Sequence, residues 1–136
     1  MPLMTWSEKL STGIAAMDEE HKQLIALLNE LHDAIEDGQG KAILGRILDG
    51  LIAYTGTHFA HEESLFAETG YPDALSHKIQ HEALIRQVNE IQAKFTATPT
   101  AILPGEVLSF LKNWLTTHIQ GTDKEYGPHL KSMGIR

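Results

Sequence analysis

His21, His58, Glu62, His77, His81 and His118 stand on the apolar stripes of helical segments, at positions where leucine or isoleucine would ordinarily face a core. Imidazoles and carboxylates taken out of water are costly unless hydrogen bonds or a metal satisfy them. The chain can therefore fold stably only if these side chains meet, and that requirement selects the arrangement of its helices.

Glycine and proline mark the segment ends. Breaks fall at Gly38-Gln39-Gly40, at Thr69-Gly70-Tyr71-Pro72, from Thr98-Pro99-Thr100 through Pro104-Gly105, and at Gly127-Pro128. Between them the apolar residues recur at helical period, and no strand pattern competes. The first segment, about Asp18 to Asp37, carries His21, Leu24, Ile25, Leu28, Leu31 and Ile35 inward, with Asp18 as N-cap. The second, about Lys41 to Glu68, carries Leu44, Leu48, Leu51, His58, Glu62 and Phe66; Gly45, Gly50 and Gly56 weaken it. The third, Pro72 to Phe95, carries His77, His81, Leu84 and Val88, with Pro72 in its first turn. The fourth begins near Pro104 and carries Val107, Leu111, Leu115 and His118.

Short connections favour antiparallel neighbours. The expected fold is all-α, an up-down-up-down antiparallel four-helix bundle forming a single domain over residues 1–136. Residues 1–17 are read as an extended arm held by Trp6 and Ile14, 18–126 as the bundle and 127–136 as a short tail.

Axial rise per residue is the same on every helix, so counting from each turn gives height. His58 lies 12 residues before Gly70 and His81 lies 11 after it; Glu62 and His77 lie 8 and 7 away on the two sides. His21 and His58 are 18 and 19 residues from Gln39. With His118 and Asp123, all four segments deliver donors to one slab. His118 and Asp123 are five residues apart, about 140° on an ideal helix, so both face inward only through a π-type turn or a break near Gly121.

The remaining polar residues have plainer readings. His32 is a hydrogen-bonded core or rim residue too far from His21 to share its site, His61 points off the stripe, and His129 lies on the surface of the tail. Asp18, Glu19 and Glu20 suit the helix dipole and need no further role. Glu63 and Glu82 are placed to accept the free ring N–H of a ligand histidine. Phe59 and Trp114 are core aromatics or a pocket wall.

With Lys+Arg 11 against Asp+Glu 18, the net charge is -7 and no basic stripe exists, which argues against nucleic acid. The absence of cysteine removes disulfides and thiolate metal sites and fits a reducing compartment. No basic leader followed by an apolar stretch opens the sequence, and no apolar run is long enough to cross a membrane, so a cytoplasmic protein is expected. Seven donors exceed one tetrahedral zinc. They suit two ions with bridging carboxylates, and imidazole-rich donors fit iron, copper, nickel or zinc. No Glu-x-x-His motif of the carboxylate-rich di-iron bundles occurs.

The chain resembles the hemerythrins, particularly the single-domain bacterial ones. The resemblance runs through Trp6, Gly13-Ile14, Met17-Asp18-Glu19-Glu20-His21-Lys22, His58-Phe59-Ala60-His61-Glu62-Glu63, His77-x-x-x-His81 and His118-x-x-x-x-Asp123. It implies a non-haem pair of iron ions, ferrous when deoxygenated and ferric in the oxy and met forms, with an oxo or hydroxo bridge. By position, His77, His81 and His118 would hold one ion, His21 and His58 the other, and Glu62 and Asp123 would bridge. Dioxygen would bind reversibly at the open position of the two-histidine ion. Leu24, Ile25, Leu28, Phe59, Leu115 and Ile119 would form a dry wall around it. The implied role is a monomeric oxygen carrier, store or delivery protein, not an enzyme, with an oxygen-consuming enzyme as recipient. An oxygen or redox sensor acting through a partner, and a di-iron oxidase or peroxidase, are the alternatives; the latter needs a proton source near the open position, and no inward Tyr, Lys or further carboxylate is expected there.

Overall fold

The computed structural model describes residues 4–135 and is an antiparallel four-helix bundle extended by a short fifth helix. The helices are α1 (Ala15–Glu36), α2 (Gly40–Thr69), α3 (Ala74–Ala97), α4 (Pro104–Thr117) and α5 (Lys124–Ser132). A π-helical turn, His118–Asp123, joins the last two. Cross-bundle pairs fix the directions. Glu20 meets His58 and Glu30 meets Arg46 between α1 and α2, while Glu63 meets His81 and Asp49 meets Gln92 between α2 and α3. In each pair of helices one index rises as the other falls, which is the up-down order the short connections require.

The boundaries differ from the sequence reading in places that have local causes. α1 begins at Ala15, and Ile14 rather than Asp18 occupies the N-cap. Asp18 sits within the first turn and reaches back to the arm, accepting hydrogen bonds from Ser11 Oγ at 2.5 Å and from the backbone N–H and Oγ1 of Thr12 at 2.8 Å each. The arm is therefore tied down over residues 11–14, and it folds into a 3-10 turn at Glu8–Leu10 rather than staying extended. Further out, the Asn29 side chain brackets the backbone of Met4, and Trp6 is half-buried under Lys22. α3 starts at Ala74, after Pro72, because Tyr71–Asp73 first close a turn. α2 runs unbroken past its three internal glycines to Gly70, whose φ of 64° supplies the left-handed C-cap.

The expected break at Gly127-Pro128 is the largest departure. α5 continues through both residues to Ser132, so the tail is mostly helix. Gly127 is there for a close approach and not for a turn: a Cβ at this position would overlap the carbonyl oxygen of Thr12. His129 is correspondingly half-buried and not on the surface, with Nε2–H donating to the Thr69 carbonyl at 2.9 Å.

Two apolar clusters result. The larger fills the bundle around Leu28, Leu44, Leu48, Leu84 and Leu111; the smaller joins Ile14, Met17, Phe66, Tyr71, Tyr126 and Leu130 where α5 closes over the arm. Gly127→Ala is expected to lower stability by about 1–3 kcal/mol through overpacking against Thr12. Gly121→Ala, with open space at its Cβ, should leave the thermal midpoint nearly unchanged. Paired thermal melts check the contrast.

Candidate metal centre

Between the two clusters lies a slab of buried polar groups. His21, His58, Glu62, His77, His81, His118 and Asp123 are all buried, with Glu62 and Asp123 fully so. Their donor atoms fall into two overlapping groups: Glu62, His77, His81, His118 and Asp123 in one, and His21, His58, Glu62 and Asp123 in the other. Within each group all donor atoms lie within 4.8 Å of one another. Glu62 and Asp123 belong to both. The structure thus brings together all seven side chains singled out from helical spacing.

The π-helical turn does what the five-residue spacing demanded. It inserts one extra residue per turn, so His118 Nε2 and Asp123 Oδ1 come to 2.8 Å of each other on the same inner face. Asp123 then also meets His77 Nε2 at 2.8 Å and His21 Nε2 at 2.9 Å. Glu62 Oε1 stands 3.1 Å from His81 Nε2.

These approaches are close without being aligned as hydrogen bonds. Among the described residues, eight buried side-chain atoms have no hydrogen-bond partner: both ring nitrogens of His21, the Nε2 atoms of His77, His81 and His118, Glu62 Oε1 and both Asp123 oxygens. Buried polar atoms are almost always satisfied. Orphans that converge from four helices on shared points are the pattern of ligands aimed at ions. The donor set, five imidazoles and two carboxylates, suits a pair of first-row transition metals.

The ring nitrogens that face away from the slab are held. His58 Nδ1 lies 2.6 Å from Glu20 Oε1, His81 Nδ1 lies 3.2 Å from Glu63 Oε2, and His118 Nδ1 lies 3.1 Å from Gln80 Oε1. Since carboxylate and amide oxygens only accept, each Nδ1 is the donor, which leaves the Nε2 lone pair for the slab. Glu63 has the role expected of it, whereas Glu82 is exposed and has none. Glu20, read as a dipole residue, instead bridges His58 and His61, whose Nδ1 is 2.7 Å from its other oxygen. Helical spacing cannot reveal such a contact, because Glu20 and His58 are 38 residues apart. Tyr126 was also missed. It is fully buried, and its hydroxyl donates to Glu62 Oε2 at 2.6 Å. Helical spacing did not single it out, because a break at Gly127 puts Tyr126 at the very end of the bundle.

Leu24, Ile25, Leu28, Phe59, Leu115 and Ile119 are all buried in the larger apolar cluster. Phe59 stacks on the His81 ring at 3.7 Å between centroids, and half-buried Trp114 stacks on His118 at 4.3 Å.

Charge in the slab is self-compensating. Burial opposes protonation of His21 and His77, but the adjacent Asp123 and Glu62 carboxylates outweigh it and raise them to about 10 and about 9. Burial likewise opposes ionisation of Glu62 and Asp123, yet the facing imidazoles hold both below the usual carboxylate range. Without a metal, the slab holds protons in its place.

The family model for the hemerythrin HHE cation binding domain matches residues 12–130. A bacteriohemerythrin of Stenotrophomonas maltophilia is 36% identical over 132 residues, covering 97% of this chain and 84% of the relative. One from Methylococcus capsulatus is 35% identical over 133 residues, covering 97% of this chain and all of the relative. A crystal structure of wild-type hemerythrin matches with a TM-score of 0.86 at 36% identity, over 94% of this chain and 98% of that one.

Protonation of His21 and His77 stabilises the metal-free fold fully below their unfolded value of 6.5, and that contribution is lost as pH rises through about 9 to 10. The thermal midpoint of chelator-treated protein should therefore fall between pH 6.5 and 10. His77→Ala should flatten that slope, as melts across the range would show.

Proposed function

This chain belongs to the hemerythrin family, and on that premise we propose that it binds dioxygen reversibly at a pair of non-haem iron ions, as a carrier, store or delivery protein and not as an enzyme. The observation that carries the reading is the convergence of seven buried histidine and carboxylate side chains in two donor groups that share Glu62 and Asp123, with most of their facing atoms lacking a hydrogen-bond partner. His77, His81 and His118 would hold one ion, His21 and His58 the other, and the two carboxylates would bridge. Iron bound there supplies reversible exchange of electrons with dioxygen. Five imidazoles and only two carboxylates put little negative charge on the pair, which weakens the drive toward permanently ferric iron. The two-histidine side has one protein donor fewer, which leaves room for dioxygen.

The surrounding residues act by exclusion and by holding protons. Leu24, Ile25, Leu28, Phe59, Leu115 and Ile119 present an apolar wall that keeps water and anions from the open side. Tyr126 donates a hydrogen bond to Glu62, and in the metal-free protein burial, with Glu62 and Asp123 nearby, pushes the phenol well above its ordinary value. No helix among the described residues is long and apolar enough to cross a membrane. We place the protein in the cytoplasm as a monomer, handing its oxygen to an oxygen-consuming enzyme.

Anaerobic loading should take up two ferrous ions per chain and release about two protons at pH 7.5, as metal displaces protons from His21 and His77. Adding oxygen should then give a visible chromophore that disappears under vacuum over repeated cycles. A chromophore that forms once and decays with turnover would overturn the carrier reading. Leu115→Ser should accelerate autoxidation by about tenfold or more, because removing the apolar cover admits water; stopped-flow or slow visible spectroscopy reads the rate.

A further inference from the structure

The two imidazoles on the open side of the slab are not held alike. His21 has no hydrogen-bond partner at either ring nitrogen. His58 is gripped from behind, its Nδ1 2.6 Å from Glu20 Oε1. The other oxygen of the same carboxylate is 2.7 Å from Nδ1 of His61, whose side chain is 41% exposed at the bundle surface. On the opposite side, three imidazoles converge, and two of them have their own grips in Glu63 and Gln80.

The geometry points to Glu20 as the positioning residue of the two-histidine ion, with His61 as its outer anchor. The inference rests on the proposed metal centre and adds to it a division of labour. A carboxylate can only accept, so Glu20 selects the His58 tautomer that keeps its proton on Nδ1 and turns the Nε2 lone pair inward. It also fixes the ring plane. Glu20 comes from the residue before His21, so one turn of α1 supplies one donor of this ion directly and orients the other from across the helix interface. His61, one residue before Glu62 on α2, holds the second carboxylate oxygen and prevents Glu20 from rotating into solvent. Because His21 has no comparable support, the whole orientation of this half depends on Glu20. The three-histidine half does not depend on it.

The consequence is selective. Loss of Glu20 should weaken one of two ion sites and spare the other. The test is a competition titration with zinc against a chromophoric chelator, which avoids oxygen chemistry, on full-length wild type, Glu20→Ala, Glu20→Gln and Glu19→Gln. Wild type should bind two zinc ions. Glu20→Ala should keep one at wild-type affinity and weaken the other about 10- to 100-fold. Glu20→Gln should retain both within a few-fold, because its amide oxygen still accepts from His58. Glu19, which pairs with Lys22 on the surface, serves as the control for loss of a neighbouring charge. A long-range proton–nitrogen spectrum of the zinc-loaded protein should show a downfield His58 Nδ1–H resonance in wild type and Glu20→Gln that is absent in Glu20→Ala. Two unchanged zinc affinities in Glu20→Ala would overturn the assignment, as would a Glu20→Gln protein as impaired as Glu20→Ala. A wild type that fails to hold two ions would overturn the metal-centre reading itself, a result distinguishable from either of these.

Discussion

Two carboxylates and five imidazoles buried in the middle of an apolar bundle set the terms for everything else in this molecule. Removing a charged group from water costs several kcal/mol even after relaxation. Among the described residues, neither Glu62 nor Asp123 has a cationic side chain beside it other than histidine. The compensation must come from the imidazoles, protonated, or from ions that replace those protons. Both solutions require all four long elements of the bundle to be in place at once, because the donors come from α1, α2, α3 and the turn after α4. The slab therefore couples the helices more strictly than the leucine layers beside it do, since leucines tolerate repacking and converging lone pairs do not.

The π-helical turn is the clearest local result of that demand. A regular helix carrying His118 inward would send Asp123 to the flank, and a charged flank is easily solvated. The chain instead accepts poorer backbone hydrogen bonding over His118–Asp123 to bring a second carboxylate into the slab. The widened turn also shifts the phase of the last helix. α5 emerges with Tyr126 facing the slab and with Gly127 against the arm, so that the smaller apolar cluster seals the end opposite the main core. A backbone irregularity of six residues thus positions a donor, a hydrogen-bonding phenol and the lid of the bundle together.

Periodicity made part of the molecule legible in the amino-acid sequence, and contacts across helices kept the rest hidden. The inward stripes placed the helices to within a few residues, and height counting placed seven donors in one slab because rise per residue is uniform. The irregular spacing of His118 and Asp123 announced the π turn. Periodicity carries no information on which surface side chain of one helix reaches a ring on another. Glu20 on His58 and Gln80 on His118 are side-chain reaches between helices, each across 38 residues of sequence. Gly127-Pro128 misled for a different reason. Glycine and proline usually end helices, but here glycine answers to a close backbone approach, and Pro128 sits inside α5, which runs on through it without that residue's backbone N–H. That misplacement in turn hid Tyr126. Asp18 was assigned to the right helix end and the wrong duty: it holds the arm rather than capping the first turn.

Tyr126 bears most directly on the kind of chemistry such a centre supports. A hydroxyl 2.6 Å from the shared carboxylate Glu62 is a ready source of hydrogen bonding and, in a different environment, of protons. Its surroundings decide between the two. Phe66, Tyr71 and His77 pack around the ring and no solvent reaches it. Burial resists phenolate formation, and the negative Glu62 and Asp123 resist it further. A phenol so placed steadies Glu62 Oε2 from within the smaller apolar cluster. Reversible oxygen binding needs those same conditions, since proton delivery to reduced oxygen is the step that makes its release irreversible. On the proposed reading, the apolar wall on one side of the slab is matched by the smaller apolar cluster around Tyr126 on the other, and together they keep water from the centre.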